Sequence, residues 1–485
     1  MSLNARELKQ SPWMTDVLKI ISGTALAQAL NALATPFLSR LYLPEAYGLF
    51  GTFTSFSLIL STIICLRYEV AIILPERDED ASDLLVVSLA SSLVLALIIG
   101  LLFSLNVFNL SSLAVDSSIL KYKWLLALNL VGMGFFQAFT YWSTRYKRYW
   151  WISSARIGST VATVVLQIGL ALILGSWVGG LILGFIAGFF ISAVLQFIPV
   201  WQEDFRKIIH SFSISRLAAN LKRYRKFPLV DSWNVILNAA SWNLVPVLIF
   251  ALFSSTQAGY YVMAYRLIQM PVALISVAVG QVFFQQSSRV KDNESDLVKI
   301  AGSVLRRLTA LGLFPALLLT IIGKDVFTVF LGEAWAEAGV YVQILGLWLF
   351  FWFLSNPFSV LTSVKERQGL AVVIEAINLT CRVLSVWIGS YFGNIYLALG
   401  LFAVTGILTF SGYALVCFGL IHMPMRVILK PLFEFIPISI ILTLAVLFLQ
   451  FLLHPSPLLM TIIGALVAGG YIIFIFRRGV FKTVG

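Results

Sequence analysis

The chain has 485 residues, 59% of them hydrophobic and only 12% charged. A water-soluble domain of this length cannot bury that much apolar surface, so composition excludes an ordinary soluble enzyme and points to a bilayer. With 34 Lys and Arg against 22 Asp and Glu the formal net charge is +12, yet the basic residues fall in short segments between apolar runs, the pattern of cytoplasmic loops and not of a nucleic-acid-binding face.

The first 16 residues are polar for too long to form a signal peptide and read as a cytoplasmic N-terminus. A helix needs about 20 apolar residues to cross the hydrocarbon. Such runs occur at 17–41, 48–74, 83–106, 122–142, 153–175, 177–200, 228–253, 257–285, 303–323, 339–362, 367–391, 395–420, 431–453 and 457–476. The expected fold is therefore an all-α integral membrane protein of about 14 transmembrane helices. Twenty-five Lys and Arg lie in the N-terminus, the even-to-odd loops and the C-terminus, whereas the opposite loops hold only Lys121, Lys123 and Lys324. The positive-inside rule then puts both termini in the cytoplasm. The longest loop, 201–227, is basic through Lys222–Arg223–Tyr224–Arg225–Lys226 and suits anionic membrane lipid.

Pro44–Glu45–Ala46–Tyr47–Gly48 follows the first span, and Ser255–Thr256–Gln257–Ala258–Gly259 follows the seventh. Each follows a span with an internal proline, Pro36 or Pro246. Six spans separate the copies, so the halves share one orientation, a parallel repeat about an axis along the membrane normal. This gives an N-lobe at 17–200, the basic loop 201–227, a C-lobe at 228–420 and two additional helices at 431–476.

Apart from Lys123, Arg306, Arg307 and Arg367, which are counted with the adjoining loops, six basic residues fall inside spans: Lys19, Arg40, Arg67, Arg156, Arg266 and Arg382. A charge at the centre of a spanning helix costs about 2.5–3.5 kcal/mol on insertion scales, so each needs a partner or a wet cavity. Lys19 and Arg156 lie near cytoplasmic ends and are expected to snorkel. Arg40 is near the outer end of the first span. Arg67, Arg266 and Arg382 lie deeper. Their helices carry polar stripes at helical spacing: Thr24, Gln28, Asn31 and Thr35; Ser55, Thr62 and Glu69; Asp231, Asn234 and Asn238; Arg266, Gln269 and Ser276; Glu375, Asn378 and Arg382. Interhelical hydrogen bonding explains one such stripe easily and five less easily.

The end of the second span, Leu66–Arg67–Tyr68–Glu69–Val70–Ala71–Ile72–Ile73–Leu74–Pro75, and the acidic loop after it resemble the R-Y-E-x-A-I-x-L-P signature of Wzx-type oligosaccharide flippases, in the polysaccharide transporter branch of the MOP exporter superfamily. Leu41–Tyr42–Leu43–Pro44–Glu45–Ala46–Tyr47–Gly48 and Val329–Phe330–Leu331–Gly332–Glu333–Ala334–Trp335 fit the same family, and Tyr265–Arg266–Leu267–Ile268–Gln269–Met270–Pro271 is similar to an arginine segment of the related lipid II flippases. The resemblance covers roughly 10–420. It implies two six-helix lobes around a cationic central cavity in a bacterial inner membrane. It also implies translocation of an undecaprenyl-diphosphate-linked oligosaccharide (an O-antigen, capsule or exopolysaccharide repeat unit) from the cytoplasmic to the periplasmic leaflet by alternating access. Other polysaccharide-assembly membrane proteins are the expected partners.

Guanidinium binds phosphate oxygens through paired hydrogen bonds. Arg67 is expected to meet the diphosphate from the cytoplasmic side and Arg266 and Arg382 to hold it mid-path, with Arg40, Glu69, Gln28, Asn31 and Gln269 as further substrate contacts. No catalytic set, metal site, cofactor or nucleotide motif is recognisable. Asp231 with Asn234 or Asn238, and Glu375 with Asn378, offer oxygens for a coupling Na⁺ or H⁺. Two rivals stay open: a drug/cation antiporter of the same superfamily, which would favour acidic cavities, and a membrane glycan polymerase, which would favour a large outer loop.

Overall fold

A computed structural model describes residues 12–105, 119–211, 213–290 and 293–480. Among these residues every regular element is helical. Fourteen helices have 18 or more residues: α1 (Pro12–Leu41), α2 (Pro44–Ser61), α3 (Asp78–Ser104), α4 (Lys123–Arg145), α5 (Tyr149–Leu174), α6 (Val178–Pro199), α7 (Ser232–Leu252), α8 (Ser255–Arg289), α9 (Glu294–Leu331), α10 (Ala336–Ser355), α11 (Gln368–Tyr391), α12 (Ile395–Gly419), α13 (Met425–Leu453) and α14 (Pro457–Arg477). Eleven helical stretches are long and apolar enough to cross a membrane. The helices α1, α2 and α8 are not among them; α1 carries the Thr24–Thr35 stripe, α2 carries Ser55, and α8 carries the Arg266–Ser276 stripe. Large apolar side chains face outward, among them Leu172, Ile173, Leu408, Phe451 and Leu466, as a bilayer-exposed surface requires. The chain is a multi-pass membrane protein.

Helix ends follow their local chemistry. Ser254, Asn394 and Ser456 cap α8, α12 and α14 by accepting from the backbone N–H of Gln257, Leu397 and Leu459. Asp78, Glu79 and Asp80 fill the first turn of α3, where the helix dipole favours carboxylates. The second apolar run does not continue as one helix. After α2 ends at Ser61 the chain passes through left-handed backbone at Leu66 (φ 52°) and Arg67 (φ 62°) before a single turn, Tyr68–Ala71. Two consecutive non-glycine residues in that region cost about 1–2 kcal/mol each, and the contacts of Arg67 described below hold them.

Two compact units divide the chain, Met1–Ala251 and Leu252–Gly485. The first takes in α7 almost entire, whereas the sequence repeat groups the seventh span with the second lobe. In the first unit α5 packs on α6 and α1, and α4 packs on α3 and α6. One core cluster gathers Tyr68, Ala71, Ile72, Leu84, Phe139 and Trp142, so Tyr68, Ala71 and Ile72 of the R-Y-E segment are core, whereas Leu74 is exposed. In the second unit α10 packs against α9 and α12, with Tyr341, Leu345 and Trp348 fully buried. The last two helices lie on α9. Arg306 of α9 makes a two-pronged bond to Glu434 of α13 (2.8 and 2.6 Å), and Tyr471 of α14 donates to the Ala310 carbonyl at 2.8 Å.

Candidate functional site

A cavity of about 240 Å³ lies inside the first unit, lined by Thr24, Ala27, Gln28 and Asn31 of α1, Phe136 of α4, Arg156, Ser159 and Thr160 of α5, and Phe189 and Ser192 of α6. The i, i+4, i+7 spacing on α1 turns Thr24, Gln28 and Asn31 to one face. Gly188 of α6 stands where a Cβ would strike Thr163 Oγ1 and crowd Ser159, so glycine is what lets α6 approach the hydroxyl face of α5. Arg156 does not snorkel. Its side chain lines the cavity, and its Nη1 donates to Thr24 Oγ1. Among the described residues no carboxylate lies within 4.0 Å of it. Sequence reasoning missed Arg156 by weighing only its distance from the helix end. The signal was present: Arg156, Thr160, Thr163 and Gln167 repeat the i, i+4, i+7, i+11 spacing that singled out α1.

Arg67 has different company. Its Nε and Nη2 both reach Asp231 Oδ2 at 2.8 Å, and its Nη1 donates to Glu69 Oε1 at 3.2 Å. Glu69 is 1% exposed and Asp231 39%. The structure thus joins a residue expected to bind substrate to one expected to bind a coupling ion. One guanidinium faces two carboxylates here, so its charge is already met by Asp231 and Glu69.

Arg382 of α11 is 4% exposed. Its Nη1 lies 3.9 Å from Glu375 Oε1, and its guanidinium sits 5.9 Å from the centroid of the Phe402 ring. Tyr261 and Tyr265 stack at 5.9 Å, Trp348 and Trp352 at 5.6 Å, and Tyr261 and Trp348 both pack on Phe402. Enclosed in this way, Arg382 offers a ligand no open face. Asn378, also buried, accepts from Thr409 Oγ1 of α12 at 2.6 Å, so its oxygen is spent on helix packing and not shared with Glu375.

The other expected residues are dispersed. Arg266 and Gln269 are half-buried on α8, Arg40 is exposed in the last turn of α1, and Asn238 is exposed on α7. The side chains of Lys19 and Asn234 lie outside the described residues.

Near the R-Y-E segment the acidic loop acts as a clamp. Arg145 donates to the carbonyls of Ile72 (3.2 Å) and Pro75 (2.7 Å) and to Asp78 Oδ1 (2.8 Å). Arg216, on the short helix Ile214–Arg223, forks onto Asp83 (2.7 and 3.1 Å) and reaches Glu79 at 2.9 Å, while Asn220 donates to Asp80 at 3.0 Å. The hydrogen bonds from Arg216 to Asp83 hold its guanidinium pKa above the ordinary value. Arg148 binds Asp204 (2.5 and 3.1 Å) and Glu203 (2.6 Å). Burial opposes its charge, but the two carboxylates raise its pKa on balance. The loop 201–227 is therefore more than loose positive charge, because one of its arginines pins it to the start of α3.

Helical architecture, an apolar outward surface and a polar cavity carrying one arginine define a multi-pass membrane protein with room for a ligand. A family model described as Polysaccharide biosynthesis protein matches residues 37–340, more than half of the chain, and the chain belongs to that family. It is 24% identical over 216 residues to the Lipopolysaccharide biosynthesis protein WzxC of Escherichia coli (strain K12), a match covering 44% of this chain and 42% of that protein; the chain thus spans less than half the length of that relative. Its fold is similar to that of lipid II flippase MurJ in an inward closed conformation (TM-score 0.71, 14% identity, 95% of this chain and 99% of that one). It is also similar to an inward-facing multidrug resistance MATE family transporter of the MOP superfamily (TM-score 0.63, 16% identity, 81% and 94%).

Proposed function

We propose that this protein is a transporter that flips an undecaprenyl-diphosphate-linked oligosaccharide from the cytoplasmic to the periplasmic leaflet of a bacterial inner membrane. On this reading the fourteen long helices all span, and both termini are cytoplasmic. The observation that carries the proposal is the first-unit cavity. A guanidinium without a carboxylate partner among the described residues is set there among the amides of Gln28 and Asn31 and the hydroxyls of Ser159, Thr160 and Ser192. That is chemistry for an anion attached to hydroxyl-bearing groups. A cationic drug would find a repulsive charge, which disfavours the antiporter reading despite the shared fold.

Arg156 with Gln28 and Asn31 receives the anionic headgroup, and Arg266, Gln269 and Arg40 guide it further. Arg67 is held in reserve by Asp231 and Glu69. Protonating Asp231, or placing Na⁺ on it, removes the charge that holds the Arg67 fork and frees it for phosphate, which ties substrate capture to an ion gradient. Arg382 and Glu375 keep the second unit rigid while access alternates. The test is a proteoliposome assay with undecaprenyl-diphosphate glycans, with and without Na⁺ and H⁺ gradients. Wild-type protein should expose the glycan on the far leaflet faster when one gradient is imposed. No glycan movement beyond that of protein-free vesicles, for any glycan tried, would sink the proposal.

A further inference from the structure

A second, larger cavity of about 490 Å³ lies within the second unit, where α8, α10 and α12 begin. Its lining is Gln257 and Tyr260 of α8, Glu337 and Tyr341 of α10, and the joint and first turn at Phe392, Gly393, Asn394, Ile395 and Tyr396. Gly393 takes φ 62° in that joint, a left-handed turn that glycine makes without strain. The opposite end of this unit carries Arg306, Arg367, Arg426 and Arg478, so by the same charge rule the cavity lies on the outer side.

Three features define its chemistry. Tyr341 is 0% exposed, and its hydroxyl has no hydrogen-bond partner among the described residues. A buried hydroxyl left unsatisfied costs about 1–3 kcal/mol, so the site is short of a polar partner. The Tyr341 ring is flanked edge-to-face by Tyr260 at 6.0 Å and Tyr396 at 6.4 Å, and Phe392 is exposed at the rim. Tyr396 donates its hydroxyl to Glu337 Oε1 at 2.6 Å, which fixes that carboxylate at the wall, with no partner for Oε2 among the described residues. No Lys or Arg lines the cavity, and the one charge is negative. A phosphate or diphosphate is therefore disfavoured. Aromatic faces, a carboxylate oxygen, an unsatisfied hydroxyl and two side-chain amides suit a neutral ring with one apolar C–H face and several hydroxyls, in a volume of ordinary ligand-site size.

We infer that this cavity binds sugar rings on the outer side, separately from the headgroup cavity of the first unit. The choice of a sugar as ligand rests on the glycan reading above, but binding here requires no transport.

The experiment is saturation-transfer NMR on the full chain in lipid nanodiscs, because alkyl-maltoside detergents would themselves compete for a sugar site. The probes are free glucose, galactose, mannose and N-acetylglucosamine, with tetramethylammonium as the cationic control. At least one sugar should show transfer. That transfer should fall about fivefold in the Glu337→Gln/Tyr341→Phe double variant, the net effect of about one hydrogen bond. It should also fall in Phe392→Ala, whose side chain is exposed and does not support the fold, and persist in Arg156→Ala. No transfer from any sugar, transfer unchanged in both outer-site variants, or transfer from tetramethylammonium alone would overturn the inference. Sugar binding here without glycan movement in proteoliposomes would sink the transport proposal and leave this site standing. Movement without sugar binding would do the reverse.

Discussion

Arg156 and Arg382 make an instructive pair. They lie on α5 and α11, one in each unit. The side chain of Arg156 opens on a polar cavity and bonds a threonine hydroxyl. Arg382 is 4% exposed, set beside the Phe402 ring and facing Glu375. An arginine inside a span is costly in either case, but the two sites meet that cost differently. One leaves the guanidinium to hydroxyls and room for a ligand; the other buries it with a carboxylate. Depth in the membrane does not separate these outcomes. The nearest counter-charge and the open volume do.

The contrast can be broken most severely at Arg382. Arg382→Ala leaves the half-buried Glu375 without its cation and a void where a buried side chain stood, and should destabilise the protein by about 3 kcal/mol, seen as a lowered melting temperature and reduced membrane accumulation. A variant as stable as wild type would make Arg382 a ligand residue after all. Next is Arg216→Ala, which strips the nearly buried Asp83 of its two-pronged partner. A loss of about 2 kcal/mol is expected, with faster proteolysis between 205 and 226; unchanged proteolysis would mean the helix Ile214–Arg223 is held by packing alone. A smaller effect is expected at Asp231. Asp231→Asn keeps the shape and removes the charge that holds Arg67, so flipping should become nearly insensitive to an imposed ion gradient while its ungated rate changes by no more than about threefold, under 1 kcal/mol. A gradient response equal to that of wild type would exclude Asp231 from coupling. Arg156→Lys is the mildest change, keeping the charge and losing the planar fork. A loss of about twofold to threefold in flipping is expected, with no change in melting temperature.

The membrane fold was legible because apolar runs of spanning length leave few alternatives. The α1 stripe was legible too: Thr24, Gln28 and Asn31 share a face by spacing alone and do line a cavity. Other features lay beyond the reach of sequence. Arg67 meets Asp231 across 164 positions, and no periodicity links them. The acidic run after Pro75 reads as surface charge until Arg145, Arg216 and Asn220 are seen gripping it. Arg382 looked like a ligand residue because its own helix showed Glu375 and Asn378, whereas the Phe402 ring beside its guanidinium comes from α12. The break at Leu66–Arg67 was hidden inside a run apolar enough to continue as one helix.

The central claim is that the first-unit cavity takes the anionic headgroup through Arg156. The most direct measurement is the initial flipping rate of an undecaprenyl-diphosphate glycan in proteoliposomes for Arg156→Ala against wild type, with melting temperatures recorded on the same preparations. The expected result is a rate at least about tenfold lower, some 1.4 kcal/mol, at an unchanged melting temperature. A wild-type rate in the variant would contradict the account.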